Sequence, residues 1–157
     1  MNEHVEKKVV LVTGAAGGIG FATVKLFGQY GWRVIGVDRQ AHEGFMQDFP
    51  SDGRFIQADI SVAANLEQIF AEAQRFSPRL DALVNNAALQ IAKPLLQTSV
   101  EEWDAVMASN LRSVFLGMKL AHPLFKAAGG GAVVNVSSVH AVATSANIAA
   151  YAASKGG

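Results

Sequence analysis

The sequence predicts an α/β protein built on a doubly wound parallel sheet, and three observations carry that expectation. Short apolar runs rich in β-branched residues alternate with stretches of helical period. A glycine-rich turn follows the first run, and the first two strand-like runs with the helix between them make a βαβ unit of about thirty residues.

Val9–Thr13 (VVLVT) lies between lysines and glycines and reads as a strand buried on both faces. Ile19, Ala22, Thr23, Leu26 and Phe27 then recur at three- and four-residue steps, which places a helix from near Gly18 to about Gly31. Arg33–Asp38 is a second strand and completes a βαβ unit. Arg54–Ala58 is strand-like, Asn65, Leu66, Ile69, Phe70, Ala73 and Phe76 form a helical stripe, and Asp81–Asn85 is a fourth strand. Ser99 followed by Glu102 has capping-box spacing and opens one helix; a second, longer helix is expected over Asn110–Ala128 from the stripe Leu111, Val114, Phe115, Met118, Ala121, His122 and Phe125. Gly129–Gly131 ends it. Ala132–Ser137 is a fifth strand, and a last helix is expected to begin near Ile148. No repeat or linker divides residues 1–157, so a single dinucleotide-binding domain is expected.

Composition narrows the function classes. Lys plus Arg number 13 and Asp plus Glu 13, without a clustered run, so nothing favours nucleic acid or an anionic membrane as partner. Cysteine is absent, which excludes disulfides and thiolate metal sites. Met1–Lys8 is too polar for a signal peptide and no apolar run approaches a membrane span, so the cytoplasm is the expected location. His4, His42 and His122 lack ligand spacing, and no metal site is expected.

Two constellations carry chemistry. Thr13–Gly20 (TGAAGGIG) joins the first strand to the first helix, where glycines let the backbone approach a pyrophosphate at the positive helix end; an ordinary glycine-rich turn is the plain alternative. Asp38, closing the second strand, is placed to bond ribose hydroxyls and to repel a 2′-phosphate, which favours NAD over NADP, although Arg39 beside it offers a phosphate partner; a loop-capping aspartate is the plain alternative. At the other end, Tyr151 and Lys155 share a helix face. A lysine charge about 5 Å from the phenol favours phenolate by about 3 kcal/mol at an effective dielectric of about 20, which brings the group towards neutral pH as an acid or base.

These residues, in order, resemble the short-chain dehydrogenase/reductase family of the single-domain type, from about Lys8 to Gly157. Thr13–Gly20 resembles its T-G-x-x-x-G-x-G turn, Asp59 its acidic residue at the adenine pocket, Asn85–Ala88 its N-N-A-G motif, Asn110 its helix asparagine, and Ser138 with Tyr151-x-x-x-Lys155 its catalytic residues. Ala88 departs from the family glycine; a positive φ there would cost on the order of 1 kcal/mol, and a negative φ with a tolerated methyl is expected.

The resemblance implies a Rossmann fold with strand order 3-2-1-4-5. Gly14, Gly18, Ile19, Gly20, Asp38, Asp59, Ile60, Asn86 and Ala87, with Tyr151 and Lys155, would hold NAD. It further implies that Tyr151 exchanges a proton with an alcohol or ketone oxygen, Lys155 lowers the phenol pKa and binds the ribose, Ser138 orients the reacting oxygen, and Asn110 holds a water that passes protons to the lysine. Gln90 and His140 resemble the substrate pair of 3-hydroxybutyrate dehydrogenases, but Ile148 stands where those enzymes carry a lysine. Family members continue into two more strands, so the chain is expected to be the N-terminal part of a catalytic domain, with one edge of the fifth strand exposed and poor solubility on its own. A homo-oligomer, paired through the long helix and the Tyr151 helix, is expected of a full-length form. The alternatives are a nucleotide-binding fragment without turnover and an NADPH-dependent 3-oxoacyl-type reductase.

Overall fold

The computed structural model describes residues 6–157; His4 and most of the polar N-terminal stretch lie outside them. Five parallel strands run in the order β3-β2-β1-β4-β5, as the resemblance implies. They are β1 (Val9–Thr13), β2 (Arg33–Asp38), β3 (Arg54–Gln57), β4 (Ala82–Asn85) and β5 (Ala132–Asn135). The helices are α1 (Gly18–Gln29), α2 (Phe45–Asp48), α3 (Ala63–Phe76), α4 (Val100–Met107), α5 (Ser113–Ala127) and α6 (Ala149–Gly156).

The pleat of β1 divides the core in two. Val9 and Leu11 face one layer, packed with Leu66, Ile69 and Phe70 of α3 and Ala121 and Leu124 of α5. Val10 and Val12 face the other, with Val24 of α1 and the aromatic pair Phe45 and Phe49. At about 1.5–3 kcal/mol for each fully buried aliphatic side chain, β1 is the strand the sheet can least lose. Among the described residues no helix is long and apolar enough to cross a membrane.

Three details differ from the sequence pattern. Helix α2 is a single turn around fully buried Phe45, too short to show a period. Strands β3 and β5 end at Gln57 and Asn135, earlier than expected. The two expected helices α4 and α5 are continuous through a wide turn, Ala108–Arg112, where the Ser113 N–H bonds the Ala108 carbonyl five residues back. The capping box is present: Ser99 Oγ accepts from the Glu102 N–H at 3.2 Å, and the Glu102 carboxylate accepts from the Ser99 N–H at 2.9 Å.

Candidate functional site

Chain geometry at the carboxyl ends of β1 and β4 is fixed by Thr13, whose hydroxyl is buried. Its Oγ1 accepts the N–H groups of Asn86 (3.0 Å) and Ala87 (3.1 Å) and donates to the Val84 carbonyl (3.4 Å). Asn86 answers by donating its side-chain amide to the Thr13 and Gly14 carbonyls at 3.0 and 3.3 Å. Helix α1 is pressed hard on this turn: a Cβ on Gly20 would lie 1.9 Å from the Gly14 carbonyl oxygen, and Gly14 itself has φ +67°. No side chain caps α1 at Gly17, so its first N–H groups remain for an anion; Gly18 lies at φ +48° and Ile19 is exposed on that turn.

Asp38 ties the end of β2 into the same turn, accepting from the Ala16 N–H (3.0 Å) and the Arg39 N–H (2.7 Å). A cavity of about 130 Å³ opens here, lined by Gly14, Asp38, Arg39, Asp59, Ile60 and Ala87 among others. Burial raises the Asp59 pKa, but the bonds from Ser61 and the Arg39 charge outweigh it and hold the carboxyl below its ordinary value. Ala88 also lines the cavity, and its φ is not positive, since Asn147 is the single non-glycine with positive φ among the described residues. The added methyl is therefore tolerated, as expected. Two roomier clefts, about 370 and 400 Å³, lie around Lys7 and Trp32 and around Arg54 and Phe76, at the opposite end of the sheet from the carboxyl edge where such folds bind ligands.

Helix α6 carries Tyr151 and Lys155 one turn apart, with Lys155 Nζ 5.8 Å from the centre of the half-buried Tyr151 ring. Lys155 Nζ donates to the Val136 carbonyl at 2.7 Å, and burial lowers its pKa from the ordinary 10.5. Ser138 Oγ accepts from the His140 N–H at 3.2 Å, capping a single 3-10 turn and leaving the hydroxyl proton free to donate. The His140 ring stands edge-on to Tyr151 at 6.1 Å, with its Nδ1 buried and without a partner. The His140 and Tyr151 rings are thus brought together, with Ser138 capping the turn that carries His140. Gln90 is exposed on the β4–α4 connection and bonds none of these side chains, and Ile148 is buried in the core.

Asn110 projects inward from the wide turn, and its side-chain amide makes three hydrogen bonds. Its Oδ1 accepts from the Leu89 N–H (2.7 Å), and its Nδ2 donates to the Leu89 carbonyl (2.9 Å) and to Ser154 Oγ (2.9 Å). One lone pair of Oδ1 remains, which leaves a place for the expected water. Asn110 also clamps the β4–α4 connection to α6. Sequence reasoning passed over Ser154 and gave Thr13 no role beyond the turn motif, because the partners of both are mainly backbone groups. A second cavity, about 100 Å³, lies beside Lys155 and is lined by Asn85, Ala87, Asn110, Asn135 and Ser154 among others. No group of three potential metal ligands occurs among the described residues.

Comparison with known proteins gives concordant matches. The family described as short chain dehydrogenase matches residues 8–157. Cyclopentanol dehydrogenase of Comamonas testosteroni is 38% identical over 98% of this chain and 63% of its own length. Among solved structures, 4-hydroxyisoleucine dehydrogenase complexed with NADH superposes with a TM-score of 0.86 at 25% identity, over 96% of this chain and 64% of that one. A metagenomic short-chain oxidoreductase in complex with NADP gives 0.85 at 30% identity, over 94% and 69%. The chain spans about 63% of the length of this relative and 59–61% of others it matches.

Proposed function

Because this chain belongs to the short-chain dehydrogenase family, we propose that it carries the nucleotide site and the proton-transfer residues of an NAD-dependent oxidoreductase that interconverts an alcohol and a ketone. One observation supports this reading above the others: Ala87 lines both the glycine-bounded cavity and the cavity beside Lys155, so the two halves of the site adjoin. The residues present fit the cofactor, since the Gly14–Gly20 cradle is one a Cβ would fill and the α1 N-terminus is uncapped.

When bound, the nicotinamide supplies hydride acceptance or return. The chain's own groups do the rest. Gly14, Gly18, Ile19 and Gly20 hold the pyrophosphate against the α1 N-terminus, and Asp38 holds the adenosine ribose. Asp59, Ile60, Asn86 and Ala87 wall the adenine side and the passage towards Lys155. Tyr151 takes the alcohol proton during oxidation and returns it during reduction, Ser138 donates its hydroxyl proton to the reacting oxygen, and the Lys155 charge favours the phenolate. Asn110 acts by holding α6 in place. His140, beside Tyr151, and Gln90 are read as hydrogen-bonding a further substrate oxygen. Asp38 favours NAD, and the cyclopentanol dehydrogenase relative supports a secondary alcohol as substrate. Exposed Leu111, Phe115 and Met118 on one face of the wide turn and α5 support the reading that a full-length form pairs through this helix in the cytoplasm.

The test is an assay of the full-length protein with NAD or NADP and a panel of secondary alcohols, linear and cyclic. NADH formation, faster than NADPH formation, is the expected result. Cofactor binding without turnover of any alcohol or ketone would leave a nucleotide-binding module and overturn the reading.

A further inference from the structure

Neighbouring residues of the wide turn Ala108–Arg112 reach three different parts of the molecule. Ser109 lines the cavity that Asp38, Asp59 and Ile60 also line, and Asn110 bonds the Leu89 backbone and Ser154 of α6. Exposed Arg112 donates from Nη2 to the Ser61 carbonyl at 2.7 Å, across 51 positions of sequence. Arg33, Arg54 and Arg79 pair with carboxylates, whereas the hydrogen bond Arg112 makes among the described residues goes to this carbonyl.

Ser61 follows directly on the two cavity residues Asp59 and Ile60. Its N–H donates to Asp59 Oδ1 at 2.8 Å, and Asn65 of α3 donates its side-chain amide to the Asp59 carbonyl at 3.0 Å. Both bonds stay within the β3–α3 connection and α3, so they shape the loop without fixing its distance from the wide turn. Among the described residues, the Arg112–Ser61 bond is the one hydrogen bond that joins Asp59–Ser61 to that turn. A charged donor bonds a carbonyl more strongly than a neutral one does. Its base is also fixed, because Asn110, two residues earlier, pins the turn to α6 and to the β4–α4 connection. Arg112 itself is not among the residues that line the cavity, so its reach into it is through the loop.

We propose that Arg112 is a positioning residue for nucleotide binding: its bond to Ser61 holds the Asp59–Ser61 loop at a set distance from the wide turn, and so fixes the width of the cavity that takes the adenosine. The inference rests on the reading of that cavity as the adenosine site. Loss of the bond lets the loop move away from Ser109, and the nucleotide must then order it on binding. Groups at α6 keep their places, since Asn110 holds them without help from Arg112. The cost therefore falls on affinity and not on the proton-transfer step.

The experiment uses the full-length protein and calorimetry with two probes, NAD and ADP-ribose, the second of which carries the adenosine and pyrophosphate without nicotinamide. Arg112→Met keeps an unbranched stem and removes the donors. Both probes are expected to bind it about fivefold more weakly than wild type, by the same factor, with turnover at saturating NAD within about twofold. Arg112→Lys, which keeps a charged donor on a shorter stem, is expected to recover affinity to within about twofold of wild type. The Arg112→Met loss should persist in about 1 M salt, where the Debye length of about 3 Å screens a charge acting at a distance. Wild-type affinity for both probes in a folded Arg112→Met, or a loss that vanishes in high salt, overturns the proposal. If that variant does not fold, Arg112→Gln, whose amide ends short of the Ser61 carbonyl, takes its place with the same two criteria. A wild-type protein that binds neither probe overturns the adenosine-site reading and the proposal with it, whereas wild-type binding with an unaffected variant overturns the proposal alone.

Discussion

The turn between β1 and α1 and the segment from Ser138 to Lys155 are both assembled from small polar residues and backbone, yet they are built on opposite plans. In the turn, Thr13 and Asn86 bond each other's backbone, Asp38 bonds the Ala16 N–H, and Gly14 and Gly20 leave no space for a side chain. Around α6, Ser138 and Lys155 are each anchored by a single backbone bond and keep donors in reserve. The first region is a mould, limited by shape. The second is a set of tethered reagents, limited by chemistry.

Substitutions that separate shape from chemistry put this contrast at risk. The largest effect is expected from Gly20→Ala, whose methyl meets the Gly14 carbonyl at 1.9 Å. NAD affinity of the full-length protein should fall at least about hundredfold by calorimetry, about 3 kcal/mol, at the upper end of overpacking costs. Gly18→Ala has open space around it and only a φ of +48° to strain, so about 1–2 kcal/mol is expected there. Equal losses from the two glycines would argue against the mould. Next comes Asn110→Ala, which leaves the half-buried Leu89 N–H and carbonyl and the buried Ser154 hydroxyl short of partners. About 2–3 kcal/mol of stability should be lost in urea unfolding, with NAD affinity little changed. Ser154→Ala should cost about 1 kcal/mol in the same titration. The smallest effect belongs to Asp59→Asn. Because the folded carboxyl has a pKa below the unfolded 3.8, its contribution is complete above that value and is lost as pH falls through the folded one. The variant should lack that contribution at neutral pH and show a shallower further loss of stability in the acid window.

Legibility in the sequence follows the same division. β1, β2 and β4 were plain because burial on both faces forces a continuous apolar run, and the glycine turn was plain because Gly14 and Gly20 have no room for a Cβ. Asn110 was legible as a site residue but not in its action, since its partner is the Leu89 backbone, which no side-chain pattern reveals. The fusion of α4 and α5 was hidden for a related reason: a wide turn changes hydrogen-bond spacing without breaking the apolar stripe. β5 shows the converse. Its Ala-Val-Val has the composition of β1, yet Val133 and Val134 are exposed, because β1 is flanked by two strands and β5 pairs with β4 alone.

Tyr151→Phe in the full-length protein tests the central claim most directly, with NAD binding by calorimetry and alcohol oxidation measured on the same preparation. Removing one hydroxyl from the tethered region should leave the mould intact. NAD affinity within about twofold of wild type and turnover lower by about 10²–10⁴ are expected for loss of a general acid–base group. Turnover at the wild-type rate, or a loss of NAD binding that matches the loss of rate, would contradict the assignment of Tyr151 as the proton-transfer residue.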